Sequence, residues 1–190
     1  SLISKYCLDN NYLFQKNYNF NSKNECFEGA HVIDAKPSIN LDKPVIVLDY
    51  KSLYPSTIIA ENLCLSSVVL DDKYKNLKEI SYNNIEYDNY IMKMDTGKNK
   101  KVINLDLPRK NSSFAEIEGK KGVIPSILEE LLLKREKAKK EAEKTNNKMY
   151  KKILNSRQLQ LKLIANSIYG LIGSKTSNIY MNELNINDIT

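Results

Sequence analysis

The sequence predicts an α+β fold, a small sheet beside a two-helix antiparallel hairpin, and three observations carry that prediction. A β-branched apolar run, Val45-Ile46-Val47-Leu48, follows Pro44 and ends abruptly at Asp49. Short strand-like pieces, Ser67 to Leu70, Tyr90 to Met94 and Lys101 to Leu107, alternate with polar turns such as Asp95-Thr96-Gly97. From Pro125 to Gly173 a helical period persists, broken once by Thr145-Asn146-Asn147. At 190 residues with 42% hydrophobic content, the chain can bury one sizeable core or two small ones.

In chain order, residues 1–44 are rich in Asn, Lys and Tyr and read as an extended entry segment. The run Val45 to Leu48 reads as a buried strand that delivers the Asp49 carboxylate at its tip. Tyr54 to Asn62, with Pro55 early, reads as a short helix that Ser52 can cap. Residues 66–107 read as a small peripheral sheet. The first long helix opens near Pro125 and ends near Lys144, and the second runs from about Lys148 to Ile172, ending at Gly173.

Composition excludes several classes. No run reaches the ~20 apolar residues of a membrane span, and the start lacks the basic and apolar regions of a signal peptide, so a soluble intracellular protein is expected. Cys7, Cys26 and Cys64 are odd in number and in no CxxC spacing, and His31 is the single histidine, which disfavours disulfide frameworks, zinc sites and Ser-His chemistry. The net charge of +6 is concentrated: Lys120 to Lys162 holds 13 Lys/Arg against 5 Glu, a net +8. Such a field attracts nucleic acid or nucleoside triphosphates, and a solvated helix face has the same composition.

Three constellations carry chemistry. In Asp49-Tyr50-Lys51-Ser52-Leu53-Tyr54-Pro55, a carboxylate at a strand tip precedes a helix N-terminus. Metal-assisted phosphoryl transfer needs that pairing, a held carboxylate for Mg²⁺ and backbone amides for a triphosphate. A surface turn capped by Asp49 and Ser52 is the plainer reading of the same residues. On the second long helix, Asn155, Gln158, Lys162, Asn166 and Tyr169 share one polar face, with Ile153, Leu161, Ile164, Ile168 and Leu171 opposite. That stripe holds an ammonium, an amide and an aromatic ring, with Gly170 beside it for close approach of a base; a solvated face is the alternative. On the first long helix, Arg135 and Lys139 continue the side that carries Leu128, Leu131 and Leu132, where cations want an anionic partner, a ligand or a nearby glutamate.

The order Asp49-x-x-Ser52-Leu53-Tyr54-Pro55-Ser56, Arg135-x-x-x-Lys139, Lys162-x-x-x-Asn166-Ser167-x-Tyr169-Gly170 resembles family B DNA polymerases, whose motifs A and B read D-x-x-S-L-Y-P-S and K-x-x-x-N-S-x-Y-G. Phe27-Glu28-Gly29-Ala30 is similar to the family's template-side linker between exonuclease and polymerase domains, and Lys121 to Leu128 to its fingers entry. The variants at motifs A and B resemble those of large DNA viruses, poxviruses among them. This implies a linker over 1–44, the first part of the palm over 45–122, fingers over 123–173 and a return to the palm over 174–190.

The resemblance further implies that Asp49 and the Tyr50 carbonyl bind Mg²⁺, two ions being held with a second carboxylate from a later D-T-D, absent before Thr190. Ser52, Leu53, Arg135, Lys139 and Lys162 would hold the triphosphate, Asp49 and Lys162 being catalytic. Tyr54 would be the sugar gate, Asn166, Tyr169 and Gly170 would line the nascent base pair, and Phe27 and Gly29 would lie toward the template. Primer-template DNA, dNTP, the exonuclease, the remaining palm, the thumb and a processivity factor are the implied partners, with no membrane. The resemblance thus implies a fragment of a viral replicative enzyme, inactive alone, working in the host cytoplasm if poxvirus-like and otherwise in the nucleus. The competing class is a basic helical module that grips nucleic-acid backbone without catalysis. A relative that makes RNA or is primed by protein stays open.

Overall fold

The computed structural model describes residues 2–13, 33–39, 41, 44–87, 91–94, 100–103 and 109–173. In chain order it has α1 (Leu2–Asp9), α2 (Leu53–Ala60), a short 3-10 turn (Asp72–Tyr74), β1 (Ile80–Tyr87), β2 (Ile91–Met94), β3 (Lys100–Ile103), β4 (Lys110–Ile117), α3 (Val123–Lys144) and α4 (Lys148–Gly173). The α+β class is borne out.

The two long helices form because their apolar residues recur at helical spacing and their ends carry stop and start signals. On α3, Ile124, Ile127, Leu128 and Leu131 are buried at i, i+3, i+4 and i+7. Asn147 then starts α4: its Oδ1 accepts from the amides of Met149 and Tyr150 at 3.0 and 3.1 Å. A three-residue connection forces antiparallel packing. Near that turn, Ala138 and Ala142 meet Leu154 in a small second cluster, small residues letting the helix axes approach. The main core joins the first half of α3 to Ile58 of α2, Ile3 and Cys7 of α1, Phe114 of β4, and Ala165, Ile168 and Ile172 of α4.

β1 pairs antiparallel with β4, from Ile80 opposite Ile117 to Tyr87 opposite Lys110, and β2 pairs with β3 inside that connection. Val68 bridges to Phe114, so the piece expected as a strand at 67–70 reduces to a single rung. The loop after α2 ties this ribbon to α3. Asn62 is fully buried; its Nδ2 donates to the Ala115 carbonyl at 2.9 Å and its Oδ1 accepts from the Gly122 amide at 2.7 Å. Ser66 Oγ and Cys64 Sγ accept from the amides of Val123 and Ile124 at 3.0 and 3.4 Å. These side chains, from a distant loop, satisfy first-turn amides of α3 that Gly122 at its N-cap cannot.

Gly122 owes its identity to that close approach. An added Cβ would lie 2.7 Å from Cys64 Cβ and 3.0 Å from Ser66 Oγ. Gly122→Ala is expected to cost about 1–3 kcal/mol through overpacking, lowering the thermal midpoint by several degrees; an unchanged midpoint in a melting experiment would show that the loop yields freely.

Three further expectations are corrected. Val45 to Leu48 is not a buried strand: its four side chains are 65, 81, 86 and 90% exposed and the backbone joins no ladder among the described residues. An apolar run becomes a strand only beside a neighbour that takes up its N–H and C=O groups, and none lies there among the described residues. Next, the core-facing stripe of α4 is rotated. Ile153, Ile164 and Leu171 are 56, 42 and 44% exposed, while Leu154, Ala165, Ile168 and Ile172 are buried; the face against α3 is decided by which side packs closest, not by where large apolar residues are most frequent. Lastly, the entry segment holds a helix, α1, whose Ile3 and Cys7 are core residues. Burial in that core raises the Cys7 thiol pKa, and the charge of the neighbouring Cys64 thiol adds to the shift. Phe27, Gly29, Tyr90, 95–99, 104–107 and 174–190, to which expectations attached, lie outside the described residues.

Candidate functional site

The turn before α2 has an unusual backbone. Ser52 stands at φ 56°, ψ 56°, the left-handed region, which costs a non-glycine residue about 1–3 kcal/mol where it is held. Holding it are the Ser56 amide, which donates to the Ser52 carbonyl at 2.9 Å, and Ser56 Oγ, which donates to the Lys51 carbonyl at 2.9 Å. In this conformation the Ser52 hydroxyl does not cap α2, contrary to expectation. The first-turn amides of α2 have no intrahelical acceptor, as at any helix start, and the partial positive charge of the helix end lies with them.

The Ser52 hydroxyl instead accepts from Arg135 Nη1 at 3.3 Å, across 83 residues of sequence. Arg135, half-buried on α3, also donates through Nε to Gln158 Oε1 on α4 at 3.5 Å. Its chain neighbour Glu136 accepts an ion pair from Lys51 at 3.6 Å. Consecutive residues of α3 therefore grip consecutive residues of the turn. The glutamate alternative for Arg135 is not realised: Glu129 pairs with Lys121, Glu130 with Lys134 and Glu136 with Lys51, and no ion pair of Arg135 occurs among the described residues. Two neutral oxygens orient the guanidinium, and among the described residues no carboxylate pairs with its charge.

The second link is aromatic. The rings of Tyr54 and Tyr169 stack with centroids 4.2 Å apart and planes 15° from parallel. Beside them, a Cβ added at Gly170 would meet nothing within 4 Å among the described residues, so none of them walls off that flank. Lys139, Lys162 and Asn166 are exposed, and neither lysine makes an ion pair among the described residues. Thus Ser52, Tyr54, Arg135, Gln158 and Tyr169 are drawn together by direct contacts, while Lys139, Lys162 and Asn166 take their places from α3 and α4 alone.

Asp49 and Tyr50 are exposed, and Asp49 lies three residues before Ser52, a span of at most about 10 Å. A carboxylate and a backbone carbonyl are the hard oxygen donors that Mg²⁺ prefers. In kind they fit; in number they fall short, because no group of three or more His, Cys, Asp or Glu side chains able to hold a metal occurs among the described residues. Two residues outside the motif pattern also take part: Glu136 through its pair with Lys51, which no local pattern announces, and Gln158 through its bond to Arg135, its place on the polar stripe being the available signal.

Comparison with known proteins bears on this arrangement. A family model described as DNA polymerase family B matches residues 1–186. The chain is 32% identical over 231 aligned residues to a DNA polymerase of Pyramimonas orientalis virus, covering 97% of this chain and 19% of that protein. It is 33% identical to a DNA polymerase of Phaeocystis pouchetii virus, over 97% of this chain and 19% of the relative. With the DNA polymerase delta catalytic subunit of Dictyostelium discoideum it shares 35% identity over 85% of this chain and 12% of the relative. It thus spans about a fifth of the length of its viral relatives or less.

Proposed function

The chain belongs to DNA polymerase family B, and from that premise we propose that it forms the nucleotide-gripping part of a template-directed DNA polymerase, adding dNTPs to a primer 3′-hydroxyl in viral DNA replication. The observation that carries this reading is the convergence of the turn after Asp49 with both long helices, through Arg135 on Ser52 and Tyr54 on Tyr169. A triphosphate needs several donors and uncompensated cations within one cleft. The amides of Ser52 and Leu53, the Arg135 guanidinium and the ammonium groups of Lys139 and Lys162 are that set.

In this reading, residues 45–122 belong to the palm and 123–173 to the fingers. Asp49 and the Tyr50 carbonyl would hold Mg²⁺, with further carboxylates from other parts of the protein. Bound there, Mg²⁺ supplies the charge that activates the primer hydroxyl and steadies the leaving pyrophosphate. Arg135, Lys139 and Lys162 neutralise phosphate oxygens, and Lys162 faces the charge that grows as the bond to the leaving group breaks. Asn166, Tyr169 and Gly170 border the nascent base pair, where none of the described residues walls off the flank beside Gly170. Primer-template DNA and the remaining polymerase segments are the partners this requires.

Tyr54 is the residue to test for substrate choice. Held flat by Tyr169, its ring forms a fixed floor on which a 2′-hydroxyl would clash. Tyr54→Ala in the full-length protein is expected to raise ribonucleotide incorporation relative to dNTP by about 10- to 100-fold, the range that a lost steric contact commands. Competitive primer extension with paired rNTP and dNTP measures the ratio; an unchanged ratio contradicts the gate.

A further inference from the structure

We propose that Gln158 is a positioning residue for Arg135: it fixes the direction of the guanidinium across the helical hairpin while leaving its positive charge free for the triphosphate. The inference rests on the nucleotide-binding reading and adds a residue to which neither the sequence motifs nor the polar stripe assign a role. Arginine carries a long, mobile side chain, and an unrestrained one must be ordered at the moment of binding. Here two restraints act before any ligand arrives. Nε donates to Gln158 Oε1 on α4 at 3.5 Å and Nη1 donates to Ser52 Oγ before α2 at 3.3 Å. Both bonds are long, so neither alone immobilises the group; from two different elements they define its plane.

The chemical identity of the restraint matters more than its strength. A guanidinium has five N–H donors, and these two bonds use one at Nε and one at Nη1, leaving the others for an anion. A carboxylate at position 158 would reach the same Nε with nearly the same shape, but would pair with the charge and compete with phosphate. The charges on α3 obey that logic: Glu129, Glu130 and Glu136 are each engaged by a lysine, and the groups hydrogen-bonded to Arg135 among the described residues are neutral. Glutamine supplies an acceptor at no cost in charge.

The test uses the full-length protein on primer-template DNA with Mg²⁺, reading the dNTP dissociation constant and the maximal extension rate by single-turnover kinetics. Gln158→Ala is expected to weaken dNTP binding about threefold, the scale of one modest hydrogen bond. The nearly isosteric Gln158→Glu is expected to weaken it more, by about tenfold or beyond, because it cancels charge. In an Arg135→Ala background both changes are expected to lose their effect. A merely structural role for Gln158 predicts the reverse order, glutamate being the better replacement, and effects that persist without Arg135. Either result overturns the proposal. If Arg135→Ala itself leaves dNTP binding unchanged, the nucleotide-binding reading fails; if Arg135→Ala weakens binding and the Gln158 variants do not, only this inference fails.

Discussion

Asp49→Ala in the full-length protein is expected to abolish primer extension, by roughly 10³-fold or more, which corresponds to about 4 kcal/mol of barrier, while primer-template binding stays close to normal. The expectation comes from position and chemistry together. Asp49 is an exposed carboxylate three residues before Ser52, whose left-handed backbone is held by Ser56 and whose hydroxyl accepts from Arg135 of α3. Residual backbone strain concentrates where geometry serves a site. The substitution leaves the hairpin of α3 and α4, where the positive charge is concentrated, untouched. Extension assays and equilibrium binding on the same preparation separate the two, and near-normal extension contradicts a metal-holding role.

Asn62→Ala is expected to cost about 3–4 kcal/mol of stability, among the largest effects available to one side chain here. Asn62 sits fully buried at φ 55°, a conformation asparagine tolerates better than alanine. Its truncation leaves the Ala115 carbonyl and the Gly122 amide without their partners, and each orphaned buried group costs about 1–3 kcal/mol. The thermal midpoint should fall by about 10 °C. Function should suffer with it, since Gly122 starts the helix that carries Arg135. A midpoint shift of less than about 3 °C, under 1 kcal/mol at this size, would mean that the loop at 62–66 is not the hinge pin between ribbon and hairpin.

Helices were the most readable part of the sequence, for physical reasons. The hairpin declares itself through i, i+3, i+4 spacing on Ile124, Ile127, Leu128 and Leu131, and through Asn147 between the helices, all local signals. The short helix after Asp49 was equally plain from Pro55. What failed depended on partners distant in sequence. Val45 to Leu48 carries the composition of a strand, but pairing is a property of two segments and no partner for it occurs among the described residues. β1 and β4 were missed because Ile-Ser-Tyr-Asn-Asn-Ile-Glu-Tyr and Lys-Asn-Ser-Ser-Phe-Ala-Glu-Ile are half polar, and their asparagines and lysine disfavour strands in isolation. The cap on α3 was invisible for the same reason, its ligands lying about 60 residues upstream at Asn62, Cys64 and Ser66.

For the site, residue types were legible and contacts were not. The motif order singled out Ser52, Tyr54, Arg135 and Tyr169, and the fold brings those four together. Their linkage, hydroxyl to guanidinium and ring to ring, needed the three-dimensional structure, as did the exclusion of a glutamate partner for Arg135.

The most direct measurement is the dissociation constant of a dNTP, with Mg²⁺ and primer-template DNA, for the full-length protein and its Arg135→Ala/Lys162→Ala variant. A shared triphosphate cleft requires a rise of about tenfold or more, with primer-template affinity within about twofold at fixed salt. Unchanged dNTP affinity alongside weakened DNA binding would contradict the cleft and leave the hairpin as a grip on nucleic-acid backbone.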